Sequence, residues 1–370
     1  MTEAPPLAEP HPQPHPLDPP ARRPSDGTRQ PSPATIATIA GEVGVSITTV
    51  SKVLNGRSDV APQTRARVEA SLDRHQYRRR ARRPPIRHDQ IDLVFHELDS
   101  LWAMEIIRAV ETVASVAGIG LHLSQLGGRH TPPDEWLDAT LARRPLGVLF
   151  VLCHLSERQR ELLARQLIPY VMIDTDSATS ASVPTVGSNN WNGGLIATRH
   201  LLQLGHRRIA IISGPPDVLC AQARTAGFRS AHDEAGLPIA ADLVRQGDFY
   251  VAAGYSHGMA LLDRPDRPTA IFAGSDTQAL GVLRAARQLG LDVPGDLSVI
   301  GYDNVPVAAW TVPALTTVNQ PLRDMASTAA QMLLDLARGA ELSTSRIDLV
   351  TELVIRESTA PPRSIPPRSI

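Results

Sequence analysis

The chain of 370 residues has two cysteines, Cys153 and Cys220, a single lysine, Lys52, and only 4% aromatic residues. Cysteines this few and this far apart exclude a disulfide framework and any paired-cysteine zinc spacing, and both read as buried thiols. No run of about 18 apolar residues is present. The first residues are acidic and broken by proline, where an export signal would need a basic start and an apolar stretch. The expected setting is the cytoplasm, with no membrane association. There is no glycine-rich phosphate loop, metal-ligand spacing or nucleophile motif, and Gly187-Ser188-Asn189 with Gly193-Gly194 does not form a dinucleotide fingerprint. An enzyme is therefore not expected, and neither is a cofactor or a metal.

Charge is present but unevenly placed. The formal net charge is -1, yet residues 34–88 hold eleven cations against four anions, a net +7, and residues 1–33 are at -1. The remainder carries -7. A basic module joined to an acidic body points to nucleic-acid contact by the first part, with a solvated charge run as the alternative.

Eleven of the 32 prolines fall in residues 1–33, a stretch with almost no large apolar side chain, which is expected to be a disordered tail. From residue 34 the pattern turns helical. Ile36, Ile39, Ala40 and Val43 share one face, Gly44 stops that helix, and Ser46 is placed to cap the next, which carries Val50, Val53 and Leu54. A third helix is expected over 64–77. Three short helices, the first two joined by a tight turn, describe a helix-turn-helix headpiece over 34–78, followed by an Arg/Pro-rich linker over 79–89.

From residue 90 to 358 short apolar runs alternate with amphipathic stretches: 91–95, 103–117, 147–152, 157–166, 170–173, 209–212, 221–235, 270–273, 278–289 and 297–300. Such alternation indicates doubly wound parallel sheets, and there are enough strands for two α/β lobes. Ligands of such sheets bind beyond the carboxyl ends of the strands, where Asp174, Asp176, Ser275, Asp276, Tyr302 and Asp303 fall. Residues 359–370, which include PPRSI written twice, are expected to be a second tail.

The segment from Thr35 to Gly56 closely resembles the DNA-binding headpiece of the lactose-repressor (LacI/GalR) family, and the resemblance continues through Val60-Ala61-Pro62 and Tyr77. It persists in Gly205-His206-Arg207-Arg208, Arg224-Thr225-Ala226-Gly227-Phe228, Val293-Pro294-Gly295-Asp296, Gly301-Tyr302-Asp303 and Thr316-Thr317-Val318-Asn319-Gln320-Pro321. These elements stand in family order over residues 34 to about 358. The resemblance implies a two-lobed body like the periplasmic binding proteins, double-stranded operator DNA as partner, a homodimer, and a small-molecule effector in the interlobe cleft.

A helix in the major groove reads bases with residues near its N-terminus, here Ile47, Thr48 and Thr49, with Ser51 and Lys52 a turn later. By resemblance Ile47 and Thr48 are the base-reading pair, and Thr49 and Ser51 are phosphate contacts. Ile47 offers only apolar contact, for instance to a thymine methyl. Thr35, Ser46 and Asn55 complete the expected headpiece contacts. In the linker, Arg80 and Arg82 track phosphates or enter a narrow minor groove, and Ile86 stands where the family places a wedging leucine. Pro84 and Pro85 depart from the family there, because proline inside a helix costs about 3 kcal/mol. The linker reads either as a distorted hinge or as a solvated basic connector.

For the cleft, a sugar needs charge-assisted hydrogen-bonding groups for its hydroxyls and an aromatic wall for its C–H face. By resemblance Arg224 and Asp303 are the facing pair, Phe249 and Trp102 are walls, and Asn189 and Trp191 lie along a further lining stretch. Asp276 either contacts the ligand or caps the following helix. Glu97 and Asp99 after the first strand either bind hydroxyls or are solvated. Val218 and Cys220 stand where purine-binding relatives have polar contacts, which argues against a nucleobase. The reading reached is a repressor of sugar-utilisation genes, released from its operator by a sugar or glycoside. The alternative is control by a protein partner or by corepression.

Overall fold

The computed structural model describes residues 35–54, 60–75, 89–175 and 183–363. The 1–33 tail, Asn55, Arg80, Arg82, Pro84, Pro85, Ile86 and Asp176 lie outside the described residues. The chain divides into two compact units at Pro85–Ile86.

In the first unit, α1 (Ile36–Val43), α2 (Ile47–Leu54) and α3 (Pro62–Arg74) enclose Ile39, Ala40, Val43, Val50, Val53, Val68 and Leu72. Thr35 caps α1, and its side chain and that of Thr38 each accept from the other's backbone N–H. Gly44 ends α1 at φ 70°, a left-handed conformation that suits glycine. Ser46 Oγ accepts from Thr49 N at 3.1 Å and starts α2. Proline at the first position starts α3 two residues earlier than expected, and the helix ends at Arg74, before Tyr77. Arg67 donates to the Val43 carbonyl at 2.7 Å, and Glu42 accepts from Ser71, Arg74 and His75, so α3 is fastened to the end of α1.

The second unit holds two α/β lobes. Lobe 1 begins with β1 (Gln90–Phe95), α4 (Leu101–Val116), β2 (Gly120–Gln125), α5 (Asp134–Arg143), β3 (Gly147–Val151), α6 (Glu157–Arg165), β4 (Tyr170–Ile173) and β5 (Thr185–Ser188). Lobe 2 follows with α7 (Asn190–Gln203), β6 (Ile209–Ser213), α8 (Leu219–Glu234), β7 (Val244–Gln246), α9 (Val251–Leu262), β8 (Ala270–Ala273), α10 (Asp276–Gln288), β9 (Ser298–Asp303) and β10 (Thr316–Asn319). The chain then returns to lobe 1 for α11 (Leu322–Ala337) and β11 (Arg346–Leu349), and goes back to lobe 2 for β12 (Glu352–Val354).

The strand orders are β11-β5-β4-β3-β1-β2 and β12-β10-β9-β8-β6-β7, so both lobes share one winding. All pairings are parallel except β10 with β12. Each sheet is covered on both faces. Lobe 1 packs Ile106, Val110, Met325 and Leu333 on one side and Leu137 and Leu163 on the other; lobe 2 packs Ala279 and Val282 against one face and Ala197 and Phe228 against the other. This double coverage is why the central strands are continuous apolar runs. Packing does not stop at residue 358, where the second tail was expected to begin: Ala360 N–H donates to Ser298 Oγ at 3.0 Å, and Arg363 pairs with Asp292 at 3.0 Å. Among the described residues no single helix is long and apolar enough to cross a membrane.

Candidate functional site

The first surface is the start of α2. Ile47 is 57% exposed, an unusual position for isoleucine, and Thr48 and Lys52 are also exposed, while Val50 on the opposite face is buried. Thr49 and Ser51 are half-buried beside them. Thr35 and Ser46 sit at helix starts, where their hydroxyls are engaged in capping. A helix that leaves an apolar side chain, hydroxyls and a lysine on its outer N-terminal turns suits base-edge contact in a major groove.

The second site is the cleft between the lobes, a cavity of about 280 Å³ at the carboxyl ends of both sheets. Arg224 on α8 is its central group, 3% exposed. Glycines set its position: a Cβ at Gly194 would lie 2.1 Å from the Arg224 carbonyl oxygen, and one at Gly227 would lie 2.1 Å from that of Trp191, so only glycine lets α7 and α8 approach this closely. The guanidinium lies 3.6 Å over the Tyr302 ring. Its Nε donates to Asn190 Oδ1 at 2.9 Å, Nη1 to the Gly274 carbonyl at 2.6 Å and Nη2 to Gln320 Oε1 at 3.2 Å.

Asp303, at the end of β9, lies 3.8 Å from Arg224 Nη2, and its backbone is held at φ 106°, a strained value for a side-chain-bearing residue. Burial pushes the Asp303 and Asp174 carboxyls above the ordinary carboxylate range, and the Arg224 charge acts against that rise. Burial also raises Cys220, to about 12, so this cavity-lining thiol stays protonated. Cys153 is buried as well.

Trp102, in the first turn of α4, and Phe249 form apolar walls with Leu152 and Val218. The loop bearing Phe249 is pinned by Ser275 Oγ and Thr277 Oγ1, which donate to the Phe249 carbonyl, and by Gln278 Nε2, which donates to that of Asp248. The cavity is completed by groups that sequence reasoning passed over: His96 stacked on His130 with centroids 4.9 Å apart, and Tyr250, whose hydroxyl donates across the cleft to Glu97 and Asp99. His96 and Tyr250 each directly follow a recognisable feature, the first strand and Phe249.

Three of the expected residues stand outside the cavity wall. Asp276 does not line the cavity: it is fully buried, Oδ2 accepts from Val305 N at 2.9 Å and Oδ1 from Thr317 Oγ1 at 2.5 Å, so it ties β9 to β10. Ser275 caps α10 in its place, accepting from Gln278 N. Asn189 caps α7 and, with Trp191, 43% exposed, borders an adjoining recess of about 310 Å³ that also holds Arg346 and Asp348 and shares Asp174 and Cys220 with the cavity. Among the described residues no cluster of three or more His, Cys, Asp or Glu side chains could hold a metal.

A helix-turn-helix unit carried with a two-lobed body, polar and aromatic groups converging between the lobes, defines a class: ligand-responsive DNA-binding regulators. Residues 35–80 match the family described as bacterial regulatory proteins, lacI family, and residues 198–359 match the periplasmic binding protein-like domain. The HTH-type transcriptional repressor PurR of Proteus mirabilis is 36% identical over 334 residues, covering 88% of this chain and 97% of the relative. Among solved structures, a complex of the transcriptional regulator CelR with cellobiose is 32% identical, with a TM-score of 0.67 over 88% of this chain and 99% of that one. The lac repressor dimer bound to operator and the anti-inducer ONPF is 26% identical, with a TM-score of 0.65 over 89% and 100%. The chain belongs to the lacI family: it is a DNA-binding transcriptional regulator, not an enzyme.

Proposed function

We propose that this regulator is a cytoplasmic homodimeric repressor of sugar-utilisation genes, whose effector is a sugar or glycoside bound in the interlobe cleft. The observation that carries the reading is the convergence of Arg224, Asp303, Trp102 and Phe249 on one cavity of about 280 Å³. A forked cation and a carboxylate suit vicinal hydroxyls, and the two aromatic walls suit a pyranose face. The cellobiose complex of a relative of similar fold supports the same ligand class.

The base-reading residues in this proposal are Ile47 and Thr48, with Thr49 and Ser51 toward phosphate and Lys52 toward a guanine edge or a phosphate. Two headpieces on one dimer read the half-sites of a near-palindromic operator. The second copy docks on lobe 2 at Trp310, 75% exposed, and Val312, 98% exposed, beside a groove lined by Leu280, Leu283 and Leu291. Support for that occupant comes from the dimeric lac repressor structure. The effector favours a lobe arrangement with lower operator affinity, and its effect is bounded by its preference for that arrangement.

A thermal-shift screen of the full chain against mono- and oligosaccharides tests the reading, since a ligand at 100 times its Kd stabilises by about 2.7 kcal/mol. A sugar that raises Tm and releases operator DNA supports it. Stabilisation by no sugar overturns the effector class, and tightened operator binding reverses the sign of control.

A further inference from the structure

A sugar site still leaves open which sugars it takes, and the charge of this cleft bears on that; the argument rests on the sugar reading of the same cavity. Glu97, Asp174, Asp248 and Asp303 line the cavity against one permanent cation, Arg224. Each of the three Arg224 nitrogens already donates to a protein oxygen, and Asp303 lies 3.8 Å from one of them. Three of its five N–H groups are thus spent, and an incoming phosphate or carboxylate would meet the remaining two with Asp303 already beside them, on the only guanidinium among the described residues of the wall.

A second observation points the same way. Asp303 Oδ1, on a side chain of a residue only 7% exposed, has no hydrogen-bond partner among the described residues. It is a buried acceptor beside the cavity, suited to a ligand donor. Across the cleft, Glu97 accepts from the Tyr250 hydroxyl, and Asp99 accepts from it too, which places further negative charge near the mouth. The start of α8 has no side-chain cap, so it contributes a helix-terminal partial charge of about +0.5, which the lining carboxylates outweigh. Burial holds Asp174 and Asp303 above the usual carboxylate range. A cation entering the cavity draws these acids toward the ionised form, and an anion drives them toward the neutral one.

We infer that the cleft rejects anionic sugars and prefers an amine-bearing sugar to its neutral parent.

The test is calorimetric titration of the full chain at pH 7.5 with two series that keep the pyranose ring and change the charge: glucose, glucosamine, glucuronate and glucose 6-phosphate, then cellobiose, its diamino counterpart and its uronate. The amine-bearing member should bind about tenfold tighter than the neutral parent, and the anionic members should bind more weakly than both. The Glu97→Gln/Asp248→Asn variant should narrow both gaps. An anionic member that equals or exceeds the neutral sugar overturns the inference, as does an amine that binds no tighter than its parent or a gap unchanged in the variant. Binding by no member of either series overturns the sugar reading itself; neutral binding with the anion ranked first overturns only the charge preference.

Discussion

Gln320 holds Asp174 and Arg224 together: its Nε2 donates to Asp174 Oδ2 at 3.0 Å while its Oε1 accepts from Arg224 Nη2 at 3.2 Å. Asp174 ends β4 in lobe 1, Arg224 belongs to α8 in lobe 2, and Gln320 lies on the crossover between β10 and α11. Asn190, on another crossover, duplicates the link, donating to Asp174 and accepting from Arg224 and from the Tyr302 hydroxyl. Replacing Gln320 by Leu leaves two buried charged groups each short of a partner, at a cost of about 1–3 kcal/mol. A urea midpoint lowered at unchanged slope checks this, and an unaltered midpoint would show the amide to be dispensable.

Arg224→Ala should abolish stabilisation by the effector. The protein itself should lose about 3–5 kcal/mol, because Asp303 and Asp174 are left buried without their cation. Phe249→Leu keeps that ion cluster and removes only the aromatic wall, so it should fold normally and bind the effector at least tenfold more weakly in titration.

Thr48→Ala should relax selectivity at one operator position by about 1–3 kcal/mol while leaving non-specific binding and its salt dependence unchanged. Competition binding against a panel of single-base operator variants reads this directly. Uniform weakening across the panel would place base recognition elsewhere.

Trp310→Arg, made together with Val312→Glu, should leave a folded monomer. Light scattering gives the mass, and circular dichroism shows whether the fold is retained. A dimer of unchanged mass would move the interface off this face.

Asp276 predicts a pH dependence. Burial raises its carboxyl to about 7, above the ordinary aspartate value of 3.8, so the folded state keeps a proton that the unfolded chain has released. Its contribution is full below the unfolded value and is lost as pH rises toward about 7, so stability should fall across that window, by an amount on the order of a few kcal/mol. Asp303 and Asp174 act in the same direction. Asp276→Asn should flatten the profile of unfolding free energy against pH between 4 and 7.

The residues explain what a linear reading could reach. The run at β1 is legible because five successive positions are buried, including Asp92, which Arg143 pairs at 2.7 Å. Arg224 and Asp303 were reached through motif order. By contrast α9 is absent from the segments expected from the sequence and carries Gly254 and Gly258; a Cβ at Gly254 would lie 2.1 Å from the Gln278 carbonyl oxygen, so this glycine is where α9 and α10 meet. β2, with no fully buried position, lies at the sheet edge and gives no apolar run. Asp276 and Asp303 are both acids at or near strand ends, and only the three-dimensional positions of Thr317 and Val305 tell the fastener from the cavity-lining group. Trp191 lies in the first turn of α7, whose residues border the adjoining recess, and no residue of that helix is in the cavity wall.

The threefold crossing between lobes orders events during synthesis. Lobe 2 has its main sheet and four helices once residue 319 has emerged from the ribosome. Lobe 1, although begun earlier, still lacks α11, whose Met325, Ala329 and Leu333 close its core, and β11, its edge strand. Lobe 2 in turn waits for its own edge strand β12, so neither lobe is complete before residue 354, and a nascent chain arrested between residues 319 and 337 leaves the face of lobe 1 that α11 covers partly exposed, a ready substrate for chaperones.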